Sequence, residues 1–146
     1  MTRANRRTFL LLVGAGAAAA GLPALAFAQA TAPKNRALFT VTENDPARWN
    51  LILNNMHAIG EGVGSEGIEI ELVAYGPGVL MLKSDSSVTQ RLAEATKAGV
   101  KINACQNTMN GMKLTPSDML TDIGYVPSGV VEVMRKQQQG WAYIRS

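Results

Sequence analysis

Ile68-Glu69-Ile70-Glu71-Leu72-Val73-Ala74, closed by Tyr75-Gly76-Pro77-Gly78, reads as a β-strand with an abrupt end. Ile68, Ile70 and Leu72 alternate with Glu69 and Glu71, the period of two that sends successive side chains to opposite faces of a sheet. The Gly/Pro cluster then turns the chain. Downstream, residues 88–98 set Val88, Leu92 and Ala95 on one helical face and stop at Gly99. Residues 100–104 follow as a short strand that delivers Cys105. Upstream, residues 37–42 are β-prone and end at Asn44-Asp45-Pro46, which caps and opens a helix. Apolar residues then fall at 49, 52, 53, 56, 59 and 63, a helical stripe that residues 60–67 are expected to break.

The same alternation continues toward the C-terminus. Thr115-Pro116-Ser117-Asp118 reads as a helix start, and residues 123–126 as a short strand. Pro127 suits the first turn of a last helix, in which Val130, Val133, Met134 and Gln137 share a face. Gly140 ends that helix, and residues 141–144 make a final strand. Strands alternating with helices over short connections predict an α/β fold with a mainly parallel sheet covered on both faces and right-handed crossovers.

The N-terminal 28 residues read as an export leader. Arg3, Arg6 and Arg7 form a basic region, residues 9–20 a short apolar stretch, and Ala26-Phe27-Ala28 a small-x-small cleavage site after Pro23. The apolar stretch is too short to span a bilayer. Arg6-Arg7-Thr8-Phe9-Leu10 is similar to a twin-arginine signal. A signal peptide over 1–28, a disordered lead-in over 29–35 and one domain over 36–146 are expected, with the mature protein periplasmic. Taking Arg3, Arg6 and Arg7 from the 14 basic side chains leaves 11, equal to the 11 acidic ones. The overall charge of +3 therefore belongs to the leader, and no basic run points to nucleic acid. No later segment is long and apolar enough to cross a membrane.

Cys105 is the single cysteine. Exported proteins use cysteines in disulfide pairs, so one thiol is a packing residue, an intermolecular linker or a reactive group. In a parallel sheet the loops after the strands gather at one edge, where ligands bind in open α/β folds. Those loops hold Asn44 and Asp45, then Tyr75 and Gly76, then Cys105, Gln106, Asn107 and Thr108, with Tyr125 close by. Val100, Ile102 and Ala104 share one strand face, and Lys101, Asn103 and Cys105 the other. A core cysteine belongs on the apolar face, and this one sides with a lysine and an amide. A helix turn starting near Asn107 would turn its free amides on the sulfur and lower the thiol pKa, with Lys101 or Lys113 adding to the effect. The competing reading is a buried cysteine acting as a small hydrophobe.

Other candidates carry less chemistry. His57, the one histidine, lies at the border of the first helix's apolar stripe beside Asn50 and Asn54. Cys105, Met109 and Met112 form a C-x3-M-x2-M spacing of soft ligands suited to Cu(I), although methionines so spaced usually fill a core. Gly62-Val63-Gly64-Ser65-Glu66-Gly67 matches G-x-G-x-x-G in letters but precedes a strand, where a dinucleotide fingerprint must follow one. No G-x-S-x-G occurs.

Four segments together resemble the DsrE/DsrF-like family: Val73-Ala74-Tyr75-Gly76-Pro77-Gly78, Ala104-Cys105-Gln106-Asn107-Thr108-Met109, Gly124-Tyr125-Val126-Pro127-Ser128-Gly129-Val130-Val131-Glu132, and Gln138-Gln139-Gly140-Trp141-Ala142-Tyr143-Ile144. The resemblance implies a three-layer α/β/α sandwich with about five strands, assembled as a homotrimer or homohexamer. It also implies a sulfur carrier, in which a cysteine at the position of Cys105 takes up sulfane sulfur as a persulfide and passes it to an acceptor thiol on a partner protein. In that reading Asn107 and Thr108 supply amides, Tyr75, Gly76 and Tyr125 shape the pocket, and His57 is a polar neighbour. No cofactor is implied, because the sulfur travels covalently. Those carriers act in the cytoplasm, whereas this chain carries an export leader. The readings that compete with carriage are an oligomeric ligand-binding or scaffold module with an inert Cys105, and the Cu(I) module.

Overall fold

The computed structural model describes residues 35–146. The expected leader over 1–28 and residues 29–34 of the expected lead-in lie outside the described residues. Asn35, placed in the lead-in by the sequence, already belongs to the first strand and pairs with Ile68.

Five strands form one sheet: β1 (Asn35–Val41), β2 (Ile68–Ala74), β3 (Lys101–Cys105), β4 (Gly124–Val126) and β5 (Ala142–Ile144). Their order is β4-β3-β2-β1-β5, and every pairing is parallel. The helices are α1 (Pro46–Val63), α2 (Thr89–Lys97), α3 (Gln106–Gly111) and α4 (Gly129–Gln138). From β1 to β4 the chain steps steadily in one direction, and only the return to β5 runs the other way. Right-handed crossovers therefore put the helix of that return, α4, on the face opposite α1 and α2. The result is the expected three-layer α/β/α sandwich.

The two faces differ in character. Phe39, Leu72, Ala74, Ile102 and Ala104 of the sheet pack with Trp49, Ile52, Leu53 and Met56 of α1 and Leu92 of α2 in the main core. On the other face Leu38, Val73, Val126 and Trp141 form a smaller cluster, against which Tyr75 and Val133 pack. Glu71 lies on this second face and is 1% exposed, the one buried charged residue among the described residues.

Local signals explain most element boundaries. The Asp45 carboxylate accepts the Ala47 amide at 2.9 Å and starts α1, with Pro46 in the first turn. The stripe at 49, 52, 53 and 56 is buried as its spacing predicts. The expected break at residue 60 comes later, because the helix continues through Gly60 and Gly62 and ends at Gly64, whose φ of +85° suits glycine. Gly99, at φ +91°, ends the α2 turn as expected. Residues 79–82, which the sequence leaves without an element, lie in a 3-10 segment (Gly76–Leu82) that buries Val79, Met81 and Leu82. Residues 115–118 start no α-helix. They form a 3-10 turn (Pro116–Asp118) closed by a capping box.

The last helix departs most from expectation. The face read for Val130, Val133, Met134 and Gln137 is not buried as a unit, since Val130 is 60% exposed and Met134 50%. Gly129, Glu132, Val133 and Lys136 face the sheet instead. Lys136 reaches inward to the buried Glu71, at 2.6 Å, and the apolar flank of α4 faces solvent.

Candidate functional site

Cys105 ends β3, opposite Val126 of β4, and α3 starts at the next residue. Strand alternation points its side chain to the α4 face, with Asn103 and away from the main core. There the Gly129 amide at the start of α4 donates to Cys105 Sγ at 3.2 Å. Position 129 must be glycine on steric grounds, since a Cβ there would sit 2.8 Å from Tyr75 Cβ. The Asn107 amide donates to the Pro127 carbonyl at 3.2 Å, tying the first turn of α3 to the segment that leads into α4.

Thr108 is the third residue of α3, within its first turn. Its Oγ1 accepts the Gly76 amide at 3.0 Å, which leaves the hydroxyl proton free to turn toward the sulfur. Burial pushes the Cys105 thiol pKa up, but the Thr108 hydroxyl and the amides of Thr108, Gly129 and Asn107 together pull it below its ordinary value. Of these the Gly129 amide stands in direct hydrogen-bond geometry. Cys105 makes no side-chain capping bond to α3, so the Thr108 and Asn107 groups act as oriented dipoles. All the groups that lower the pKa are uncharged. Lys101 lies at the opposite end of β3, and Lys113 is exposed beyond α3, so neither expected lysine contributes.

The sequence places this thiol on an open lip. In the structure Cys105 is 4% exposed, because the first turn of α4 lies over it. Its immediate partners are hydrogen-bond donors, which distinguishes it from a cysteine packed among hydrocarbon.

Of the expected site residues, Tyr75, Gly76, Asn107 and Thr108 converge on Cys105. Tyr125 does not, because it pairs with Ala104 and faces the other side of the sheet. There it lines a depression of about 310 Å³ with Gln106, Asn107, Asn110 and Pro116. His57 is exposed and lines a separate groove of about 300 Å³ with Ile68 and Val100, near the starts of the strands. The sheet separates that edge from Cys105, so His57 is no neighbour of the thiol. The expected Cu(I) set is not assembled either: Met109 is buried in the main core, Met112 is exposed, and Cys105 points to the opposite face.

Sequence reading missed three participants. Gly129 enters the sequence reading only within the segment 124–132 that carries the family resemblance, with no role of its own. Thr40 and Tyr143 meet at 3.0 Å between their oxygens, beside Tyr75. Burial, Tyr143 and Glu43 raise the Tyr75 pKa, and hydrogen bonding to Thr40 offsets this in part. Both lie on strands adjacent in the sheet but remote in sequence, a juxtaposition that no local pattern signals.

The sequence matches the DsrE/DsrF-like family over residues 8–145. The chain belongs to this family. Membership connects it with sulfur relay, without specifying a step. It is similar to the protein of unknown function MTH1491 from Methanobacterium thermoautotrophicum, at 35% identity over 77% of this chain and 100% of that one, with a TM-score of 0.74. The conserved protein of unknown function BT1422 from Bacteroides thetaiotaomicron is 14% identical over 77% of this chain and 95% of its own, with a TM-score of 0.63. The ychN protein from E. coli is 12% identical over 78% of this chain and 100% of its own, also at 0.63. These last two share the fold. No curated protein matches the chain.

Proposed function

We propose that this family member carries sulfane sulfur on Cys105. The thiolate attacks the outer sulfur of thiosulfate, a Cys–S bond to that sulfur forms, and sulfite leaves with the electron pair of the broken S–S bond. With a polysulfide, the shortened polysulfide is the leaving group. An acceptor thiolate on a partner protein then attacks the outer sulfur of Cys105–S–S⁻ and restores the Cys105 thiolate. The sulfur moves with no external oxidant or reductant, and one cysteine suffices because no intramolecular disulfide forms. The observation that carries this reading is the hydrogen bond from the Gly129 amide to Sγ, set among donors that favour the anion despite burial. Burial would protect a persulfide from bulk thiols, and loading would require the first turn of α4 to open. In this reading the protein is periplasmic, exported by a leader that is cleaved near Ala28, and is a homotrimer or homohexamer joined through the exposed flank of α4.

Intact-mass measurement after exposure to thiosulfate or polysulfide tests the reading. A mass increment of one sulfur atom on the wild type, absent from Cys105→Ser, is expected. Burial of the side chain to 4% exposure favours a second reading, an oligomeric scaffold or ligand-binding module with an inert cysteine. An unmodified wild type would argue for that alternative and against carriage.

A further inference from the structure

α4 runs antiparallel to the strands, so residues later in the helix lie back along β3 from Cys105. Gly129 and Lys136 are seven residues apart and share the inward face of the helix, about 10 Å from each other along its axis. Cys105 and Asn103 are two residues apart on one face of β3, about 7 Å along the strand. Two polar contacts thus cross the same helix–sheet interface. In one, the Gly129 amide meets Cys105 Sγ. In the other, Lys136 Nζ meets Glu71 Oε2 at 2.6 Å, while Asn103 Nδ2 donates to Glu71 Oε1 at 2.9 Å. Lys136 also lies 4.5 Å from the centroid of the Trp141 ring and 3.6 Å from Glu132. A buried ion pair often stabilises a fold no better than apolar residues of similar size, and its best-attested use is to permit one packing register only. Here the helix has an alternative: its apolar flank, Val130 and Met134, could face the sheet, yet it faces solvent.

We propose that Glu71 and Lys136 are positioning residues for Cys105, fixing the rotation and register of α4 so that the Gly129 amide stays on the sulfur. Neither touches the reacting atom. Glu71, Lys136 and Glu132 are the ionisable groups at the clamp, Arg36, Glu69 and Lys101 lie toward the strand starts, and Tyr75 is the ionisable group beside Gly129. Removing both charges of the pair leaves the net charge near Cys105 unchanged to first order, so a change in the thiol then reports the position of α4.

The test is the Glu71→Gln/Lys136→Met double variant of the full chain, read by the pH dependence of Cys105 alkylation with iodoacetamide and by hydrogen exchange of the Gly129 amide. The thiol pKa is expected to rise toward its ordinary value of 9.0, and Gly129 exchange to quicken several-fold. A changed melting temperature with both readouts at wild-type values would overturn the proposal and reduce the pair to a structural role. Glu71→Gln alone keeps the Asn103 contact and serves if the double variant does not fold; because it leaves the Lys136 charge unpaired and so biases the thiol by itself, Gly129 exchange is the readout there, and exchange at the wild-type rate would overturn the proposal. The consequence for sulfur carriage rests on the proposed function, but alkylation reads the thiol itself. A shifted thiol without any persulfide adduct would therefore sink carriage and leave the positioning role standing.

Discussion

Gly129 and Cys105 are 24 positions apart in sequence, yet the amide of one donates to the sulfur of the other across 3.2 Å at the C-terminal edge of the sheet. The contact exists because β3 and the segment before α4 end at the same level, and because residue 129 has no side chain to hold the helix away from Tyr75.

This arrangement has a signature in pH. A thiol whose folded pKa lies below its unfolded value of 9.0 adds stability that grows as pH rises through the folded pKa and is complete above 9.0. In denaturant titrations the stability gap between wild type and Cys105→Ser should widen in favour of the wild type as pH rises to that value. A gap that stays flat with pH would contradict the donor set. Thr108→Val should raise the thiol pKa and slow alkylation at neutral pH, whereas His57→Ala, at the other edge of the sheet, should change neither.

Gly129→Ala should be costly beyond ordinary helix substitutions. The new methyl meets the Tyr75 Cβ and ring, and overpacking of this kind costs about 1–3 kcal/mol. Since Tyr75 Cβ is itself in the way, Tyr75→Ala should not rescue the variant. The thiol pKa should rise together with the fall in melting temperature. Loss of stability with an unmoved thiol would show that the helix start adjusts without leaving the sulfur.

A third expectation concerns the turn between α3 and β4. The Asp118 carboxylate accepts the Thr115 amide at 2.7 Å and the Thr115 hydroxyl at 2.8 Å, and these bonds hold its pKa below 3.8. A depressed carboxyl contributes stability that is present above its unfolded value and lost as pH falls through its folded one. Asp118→Asn should therefore melt below wild type at neutral pH, with the difference closing as the solution is acidified below 3.8. A difference that persists in strong acid would assign the effect to packing.

Periodicity and punctuation exposed the fold because the five strands and the long helices here announce themselves locally, whereas the 3-10 segment over Gly76–Leu82 does not. Ile68–Ala74 alternates, the α1 stripe repeats, and glycines stand at helix ends. The position of Cys105 at a strand end was legible for the same reason, as was its polar parity with Asn103. Its burial was not, since the covering element, α4, arrives from another part of the chain. Which face of α4 turns inward was not legible, because apolar count favours Val130 and Met134, while Lys136, on the inward face, pairs with Glu71, a charged residue 65 positions before it in the chain. A buried charge selects its mate through space, and hydrophobic periodicity carries no trace of that choice. Tyr125 and His57 were grouped with the thiol by loop membership and helix face, neither of which says on which side of the sheet a side chain emerges.

The exposed flank of α4 yields the last prediction. Val130 and Met134 are four residues apart and lie on one face, with Val131 alongside at 37% exposure and Tyr143 of β5 at 42%. Clustered exposed apolar residues of this kind mark interaction surfaces. A second copy of the chain is the occupant proposed above, and the test is Val130→Glu with Met134→Lys. That i, i+4 order of charges supports an isolated helix by about 0.2–0.5 kcal/mol, so the fold should survive while the patch turns polar. Light scattering during gel filtration should give an oligomer for the wild type and a monomer for the variant, with the Cys105 alkylation profile preserved if each copy builds its own thiol site. An oligomer that withstands the double change would locate the subunit contact elsewhere. A wild type that runs as a monomer would free the α4 flank for a different protein, with the acceptor of the sulfur the first to try, because that flank adjoins the helix turn covering the thiol.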